Sequence, residues 1–130
     1  MKIHEHCLLI ALEDLNSAKH LFSESFVTTL FHVQQCAEKA LKAFLIFENT
    51  GLIKTHDLVT LVDQCHQHNK QFEMIRPLAA VISPYSTAGR YPDNTFKKPS
   101  QEKIQSFIEQ SEAIFNFVKQ EICKIDKNKS

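Results

Sequence analysis

The sequence predicts an all-helical protein, and three observations support this fold class. The chain of 130 residues contains only two glycines and four prolines, so few positions interrupt regular structure. Strict alternation of apolar and polar residues, the pattern of a half-buried strand, occurs nowhere. Apolar residues recur instead at intervals of three and four, as in an amphipathic helix. This length suits one domain, 1–130, with a core of about 4–125 and a tail over 126–130.

The first two helices are predicted from about His4 to Phe22 and from about Ser25 to Asn49. The apolar stripe of the first consists of Leu8, Ala11, Leu12, Leu15, Ala18 and Phe22. The second is apolar around most of its circumference, which indicates a central helix with several neighbours. Gln34 falls inside this apolar arc, where its amide needs a partner within the bundle or across a dimer interface. Gly51 is expected to end the helix as a C-terminal cap.

The third helix is predicted to begin near Thr55. Its apolar positions are Leu58, Leu61, Val62 and Cys65. The fourth helix is predicted from about Phe72 to Ala88. Pro77 is acceptable in a first turn, whereas Pro84 is expected to kink or end regular helix two residues earlier.

After a loop from Gly89 to Pro99, Ser100 is the expected N-cap of the last helix. Its apolar positions are Ile104, Phe107, Ile108, Phe115, Val118, Ile122 and Ile125. Five helices of this kind predict a mostly antiparallel, up-and-down bundle. Phe107, Ile114 and Phe117 widen the apolar face of the last helix, and this surplus predicts a homodimer.

Charge and cysteine content narrow the functional classes. Lys+Arg and Asp+Glu both number 15, which argues against a general nucleic-acid binder but permits a small local phosphate site. The four cysteines form no CxxC pair, as is typical of reduced, structural thiols in a cytosolic protein. The N-terminal run "CLLIAL" is too short for a signal peptide or a membrane span, so a cytoplasmic location is expected.

The histidines do not show the spacing of a metal site. No glutamate has a histidine three residues later, the pattern of di-iron bundles, and the "HEH" and "HQH" pairs point to different sides of a helix. We therefore expect neither a metal nor another cofactor. The chain also lacks a GxSxG motif and a glycine-rich phosphate loop. Cys65 and His66 adjoin in sequence but face different directions, so Cys–His catalysis is not indicated.

The stretch "KTHDL", residues 54–58, concentrates polar chemistry in one place. Thr55 can cap the third helix and Asp57 suits its first turn, which leaves Lys54 and His56 for another role. One interpretation is a capped helix whose imidazole bonds a neighbouring backbone group. The other is an anion site, in which the helix N-terminus and Lys54 attract a phosphate.

A second polar cluster is "GRYPD", residues 89–93. Arg90 can bind a phosphate through two parallel hydrogen bonds, and Tyr91 offers a stacking surface. Alternatively, Arg90 pairs with an acidic group while Tyr91 packs and Pro92 stiffens the loop.

Read in order, "HVQQCAEKALKAFL" (32–45), "KTHDL" (54–58) and "RYPD" (90–93) resemble the HEPN domain family over about residues 5–125. The resemblance implies a dimerising up-and-down helical bundle, similar to the substrate-binding subunits of nucleotidyltransferases. Many members are encoded beside a minimal nucleotidyltransferase and were proposed to help bind its nucleotide or polynucleotide substrate. Others are RNA-cutting toxins or act in phage defence. Carried onto this sequence, the candidate site comprises Gln35, Glu38, Lys42, Lys54, His56, Asp57, Arg90 and Tyr91.

One departure from the RNA-cutting members matters. Those members carry an arginine followed four to six residues later by a histidine, because the chemistry needs a proton carrier and a cation on the scissile phosphate. Here the arginines are Arg76 and Arg90 and the last histidine is His68, so no histidine follows either arginine.

The sequence therefore favours a non-catalytic accessory protein. It would bind a nucleotide or polynucleotide phosphate and partner a minimal nucleotidyltransferase, in a toxin–antitoxin or defence pair. Two alternatives remain open. One is a ribonuclease toxin with a non-standard site that uses His56 with Arg90, and the other is a purely structural, protein-binding helical dimer.

Overall fold

The structure, a computed structural model, describes residues 1–52, 54–85 and 99–128. Within these ranges the chain forms five α-helices, two short 3-10 segments and no strand, which confirms the predicted all-helical class. The helices are α1 (Ile3–Leu21), α2 (Phe26–Phe47), α3 (Leu58–His66), α4 (Arg76–Ile82) and α5 (Gln101–Asn128). The 3-10 segments are Lys70–Ile75 and Ser83–Tyr85.

Helix α2 occupies the centre of the bundle, as its wide apolar arc predicts. It contacts each of the other four helices, and every one of its residues is buried or half-buried. Phe44 of α2 lies 4.4 Å from Phe72, measured between ring centroids, and Phe72 in turn meets Phe117 of α5 edge-on at 5.0 Å. Large apolar side chains from three parts of the chain thus close one core around α2.

Helix α5 runs antiparallel to α1 and uses its apolar face within the chain. Lys19 near the end of α1 pairs with Glu112 of α5 at 2.8 Å. Phe107 and Ile114 are fully buried, and Phe117 packs on Phe72. The apolar area that suggested a dimer interface on α5 therefore belongs to the monomer core, and the homodimer stays a prediction.

The C-terminus of α2 differs from the expectation. The residue in the left-handed conformation is Asn49, with φ of 59°, and the N–H of Thr50 donates to the carbonyl of Leu45 at 3.0 Å. This geometry is a Schellman motif that closes the helix. The prediction that Gly51 caps α2 was wrong, because asparagine also tolerates the left-handed region and comes first along the chain.

The predicted fourth helix is divided into three pieces. The 3-10 segment Lys70–Ile75 precedes α4, and Ser83–Tyr85 follows it. Pro77 lies in the first turn of α4 and has no N–H for the preceding turn, so the α-helical ladder starts afresh there. The expected effect of Pro84 is confirmed, since α4 ends two residues before it. The predicted end of this helix at Ala88 lies outside the described residues, as does the following loop up to 98.

The start of α5 confirms its predicted cap. The side-chain oxygen of Ser100 accepts the N–H of Lys103 at 3.2 Å, and its carbonyl accepts that of Ile104 at 3.0 Å. The helix continues to Asn128, into the segment expected as tail. None of the helices in the described ranges is both long enough and apolar enough to cross a membrane.

The cysteines are free thiols, and two of them belong to the core. Cys36 and Cys65 are completely buried. Burial raises the pKa of both thiols, that of Cys36 to about 12, so both stay protonated and unreactive near neutral pH. Cys65 lies in register with the apolar stripe of α3, as expected.

Candidate functional site

The candidate site forms where the polar face of α2 meets the segment that leads into α3. Gln35, Glu38 and Lys42 are spaced three and four residues apart on α2, so they project from the same side of the helix. His56 approaches this side from the segment before α3, 18 residues after Glu38. The structure thus brings together four of the eight residues that the sequence nominated.

Glu38 and His56 form the central contact. The Nδ1 atom of His56 lies 3.1 Å from both carboxylate oxygens of Glu38. The side chain of Glu38 is only 6% exposed, whereas that of His56 is 81% exposed. The carboxylate therefore holds one edge of the imidazole while the opposite edge faces solvent. Nε2 of His56 has no hydrogen-bond partner among the described residues.

The burial of Glu38 could not be anticipated from α2 alone, where this residue lies outside the apolar arc. A helical-wheel projection of α2 contains only the residues of that helix. In the structure, the segment that carries His56 crosses over this face and covers the carboxylate. Lys42 then pairs with Glu38 through its ammonium group at 2.9 Å. Buried charge is tolerated here because hydrogen-bond donors surround it.

Gln34 joins the two parts of the site. Its amide nitrogen donates to Glu38 at 3.0 Å and to the main-chain carbonyl of His56 at 2.9 Å. Its amide oxygen accepts from Gln35 at 3.0 Å. The partner that Gln34 required is therefore found within the chain and not across a dimer interface. Sequence reasoning recognised its polar position in an apolar arc but did not assign it to the site.

The electrostatics keep Glu38 ionised. Burial raises the pKa of Glu38, but hydrogen bonds from Lys42, Gln34 and His56 outweigh it, and the net shift is downward from 4.5. An ionised carboxylate can only accept hydrogen bonds. The Nδ1 atom of His56 must therefore carry the hydrogen of this contact.

Asp57 begins α3, and the predicted role of Thr55 as its cap was wrong. The carboxylate of Asp57 accepts the N–H of Thr60 at 3.0 Å and its hydroxyl at 2.6 Å. The hydroxyl oxygen of Thr55, two residues before Asp57, instead accepts the N–H of Asp57 at 3.0 Å. Hydrogen bonds from Ser83 and Thr60 hold the pKa of Asp57 below its usual range. A carboxylate of the protein thus occupies the helix N-terminus, which was the position expected for a phosphate.

The remaining nominated residues do not join the hydrogen-bonded cluster. Lys54 is exposed and makes no hydrogen bond or ion pair with the described residues. The hydroxyl of Ser83 donates to Asp57 at 2.6 Å, so the end of α4 lies beside the start of α3. Arg90 and Tyr91, which follow a few residues later, lie outside the described part of the chain. Within that part, no three His, Cys, Asp or Glu side chains are grouped closely enough to hold a metal ion.

A second group of polar side chains was missed entirely. Asp14 of α1 lies 2.8 Å from Nδ1 of His32 and 3.5 Å from Nζ of Lys39. No sequence motif connects these positions, because the contact depends on how α1 packs against α2.

Comparison with known proteins settles the family. The family model described as "HEPN domain" matches residues 4–122. The chain belongs to the HEPN domain family. Among curated proteins none matches this HEPN chain significantly.

Two solved structures share the fold of this HEPN domain. The crystal structure of ST0689, an archaeal HEPN homologue, is 26% identical with a TM-score of 0.74, and the match covers 94% of this chain and 99% of that one. TT1696 from Thermus thermophilus is 21% identical with a TM-score of 0.81, and the match covers 92% of this chain and 98% of that one. The predicted HEPN-like helical bundle is therefore confirmed.

Proposed function

We propose that this HEPN domain is a non-catalytic accessory protein that binds the phosphate of a nucleotide or polynucleotide. The observation that carries the proposal is the His56 imidazole, which a buried carboxylate holds by one edge and which is otherwise exposed. A solvent-facing side chain fixed in this way is preorganised to meet a ligand.

Phosphate binding at this corner follows from the hydrogen positions. When both ring nitrogens of His56 carry hydrogens, Nδ1 donates to Glu38 and Nε2 is free to donate to a phosphate oxygen. Lys54, exposed and two residues earlier, supplies a mobile cation.

A non-catalytic role fits the inventory of groups at the corner. Phosphodiester cleavage by general acid–base catalysis requires a base for the attacking group and an acid for the leaving group, together with a cation on the scissile phosphate. Lys42 and Gln34 are already bonded to Glu38, and His56 is the one imidazole in contact with that carboxylate among the described residues. The arginine–histidine pair of the RNA-cutting HEPN members is absent from the sequence. Arg90 and Tyr91 stay predicted contributors.

A minimal nucleotidyltransferase is the proposed partner, in a toxin–antitoxin or defence pair, because many HEPN domains are encoded beside one. A homodimer is proposed as well. Its support is a group of exposed apolar side chains at the start of α1, namely Met1, Leu9 and Leu12. Sedimentation of the purified chain alone and with the product of its neighbouring gene tests both assemblies. Sedimentation as a monomer, with no complex formed with the neighbouring nucleotidyltransferase, would contradict both proposed assemblies.

Nucleotide affinity tests the phosphate corner. Titration calorimetry with ATP is expected to show binding by the wild-type protein and at least tenfold weaker binding by His56→Ala, the loss typical of one charge-assisted hydrogen bond. Lys54→Ala is expected to weaken binding severalfold. His68→Ala and Lys70→Ala are matched controls, because both residues are exposed and follow the C-terminal end of α3, whereas His56 precedes its N-terminal end. Equal losses in the controls, or no binding at all, would refute the proposal.

A ribonuclease with a non-standard site is the second candidate. The contact between Glu38 and His56 favours it, because carboxylate-oriented histidines serve as general bases in many enzymes. If this candidate holds, expression arrests growth and His56→Ala relieves the arrest. Normal growth of cells that express the wild-type chain without a partner would exclude it.

A further inference from the structure

A second carboxylate on the bundle surface is held in the same way as Glu38. The carboxylate of Asp14 on α1 lies 2.8 Å from Nδ1 of His32 and 3.5 Å from Nζ of Lys39. The side chain of Asp14 is 12% exposed, against 24% for His32 and 33% for Lys39. As in the cluster of Glu38, His56 and Lys42, the carboxylate is the most buried side chain, and a histidine and a lysine pair with it on its more exposed side.

The geometry leaves the same edge of the imidazole available. Asp14 takes the Nδ1 edge of His32, and Nε2 has no hydrogen-bond partner in the described ranges. The ring of His32 is also steadied by the neighbouring Phe31, at 5.2 Å between centroids. Two histidines of this protein therefore present an unbonded Nε2 from a ring that a carboxylate orients.

Hydrogen bonds connect the two clusters into one line. Lys39 donates to the amide oxygen of Gln35 at 2.9 Å, and Gln35 donates to Gln34 at 3.0 Å. Gln34 then donates to Glu38 at 3.0 Å. The relative positions of the two carboxylates are fixed by this chain of contacts as well as by the helix between them.

The line follows one face of α2. His32, Gln35, Lys39 and Lys42 are spaced three, four and three residues apart, which places them in a row along the helix. His32 and Glu38 are six residues apart, or about 9 Å along the axis. A single phosphate group cannot contact both clusters across this separation, whereas successive phosphates of a strand can.

We propose that Asp14, His32 and Lys39 form a second phosphate subsite, and that the ligand of this face is a single-stranded polynucleotide that runs along α2. The inference rests on the proposed function, since the first subsite is the His56 corner. Single strands fit better than duplexes, because the chain has no net positive charge to spread over a wide phosphate surface. The two clusters supply hydrogen-bond donors for two phosphates of the strand and need no contact with its bases.

The test compares a decauridylate with uridine monophosphate, by fluorescence anisotropy and calorimetry respectively. His32→Asn keeps a donor near the Nδ1 position for Asp14 and removes the Nε2 edge, whereas His32→Gln places an amide nitrogen near the Nε2 position. His20→Asn is the matched control, because His20 is exposed on α1. Thermal melting confirms that each variant is folded.

The wild-type protein is expected to bind decauridylate at least tenfold more tightly than the monophosphate. His32→Asn is expected to lose about tenfold in decauridylate affinity and to reduce the salt slope by about 0.7, the value for one phosphate of a single strand. His32→Gln is expected to recover part of this loss. Monophosphate affinity is expected to stay unchanged in both, and comparable binding of a DNA decamer supports contact through phosphates.

Three results would overturn the second subsite. They are decauridylate binding no tighter than the monophosphate, unchanged decauridylate affinity in His32→Asn, and complete failure of the DNA decamer to bind. If the monophosphate still binds through His56 in these cases, the proposed function stands and only the extended site fails. If the wild-type protein binds neither ligand, both proposals fail.

Discussion

Replacing Glu38 by glutamine removes the charge at the centre of the candidate site while preserving its shape. Glu38 accepts hydrogen bonds from Lys42 at 2.9 Å, Gln34 at 3.0 Å and His56 at 3.1 Å. In the Glu38→Gln variant, one amide oxygen can still accept from Gln34. The charge-assisted contacts with Lys42 and His56 are lost.

The magnitude follows from the exposure of these partners. A hydrogen bond to a charged group contributes about 1.5–3 kcal/mol when both partners are buried. The side chains of Lys42 and His56 are 23% and 81% exposed, so water replaces much of each lost contact. Pairs of this kind contribute about 0–1 kcal/mol each. The free energy of unfolding is therefore expected to fall by about 1–2 kcal/mol.

Urea unfolding followed by circular dichroism measures this loss, and pH separates charge from shape. The pKa of Glu38 is lowered from 4.5, so its stabilising contribution is complete above that pH and is lost as the pH falls through the lowered value. The difference in unfolding free energy between wild type and Glu38→Gln should therefore narrow as the pH falls below 4.5. Glu112→Gln, at an exposed pair with Lys19, is the matched control and is expected to change little. A difference that is absent at about pH 7, or that does not narrow at all below pH 4.5, would refute the reasoning.

Three further predictions concern the scaffold. Asp57→Ala is expected to lower the free energy of unfolding by about 1 kcal/mol because the α3 cap is lost, and Asp57→Asn is expected to lower it less. The pKa of Asp57 is lowered from 3.8, so the difference between wild type and Asp57→Ala should shrink as the pH falls below that value. Ser111→Ala removes a buried 2.8 Å hydrogen bond to a main-chain carbonyl of α2 and is expected to cost about 1 kcal/mol in urea unfolding; equal stability would contradict that bond. A thiol reagent is expected to modify exposed Cys123 in the native protein but to reach Cys36 and Cys65 only after unfolding. Rapid modification of either buried thiol would show that the core opens more readily than its packing implies.

Periodicity predicted the helices well because burial in a bundle is itself periodic. The wide apolar arc of α2 identified the central helix, and Pro84 and Ser100 marked boundaries through backbone chemistry that acts locally. The predicted helix boundaries were wrong where two nearby residues could each cap the helix. Asn49 and Gly51 both tolerate the left-handed conformation, and Thr55 and Asp57 both make good caps. The sequence alone does not rank such neighbours.

The sequence nominated eight residues for the candidate site on the strength of a family resemblance, and the structure brings four of them together, Gln35, Glu38, Lys42 and His56. Their role in binding stays a prediction. The burial of Glu38 depends on a segment 18 residues later in the chain, which a helical wheel of α2 does not contain. Asp14 was missed for the same reason, since it meets His32 only through the packing of α1 on α2. Long-range contacts of this kind carry no local signal.

The ring nitrogens of His56 provide the most direct test that this corner binds phosphate. Long-range proton–nitrogen NMR at a pH where the imidazole is neutral should show the hydrogen on Nδ1, facing Glu38. Addition of ATP or decauridylate should shift the Nε2 resonance of His56, while the resonances of His68 stay unchanged. A His56 ring that keeps its hydrogen on Nε2 without ligand, or that does not respond to either ligand, would contradict the account.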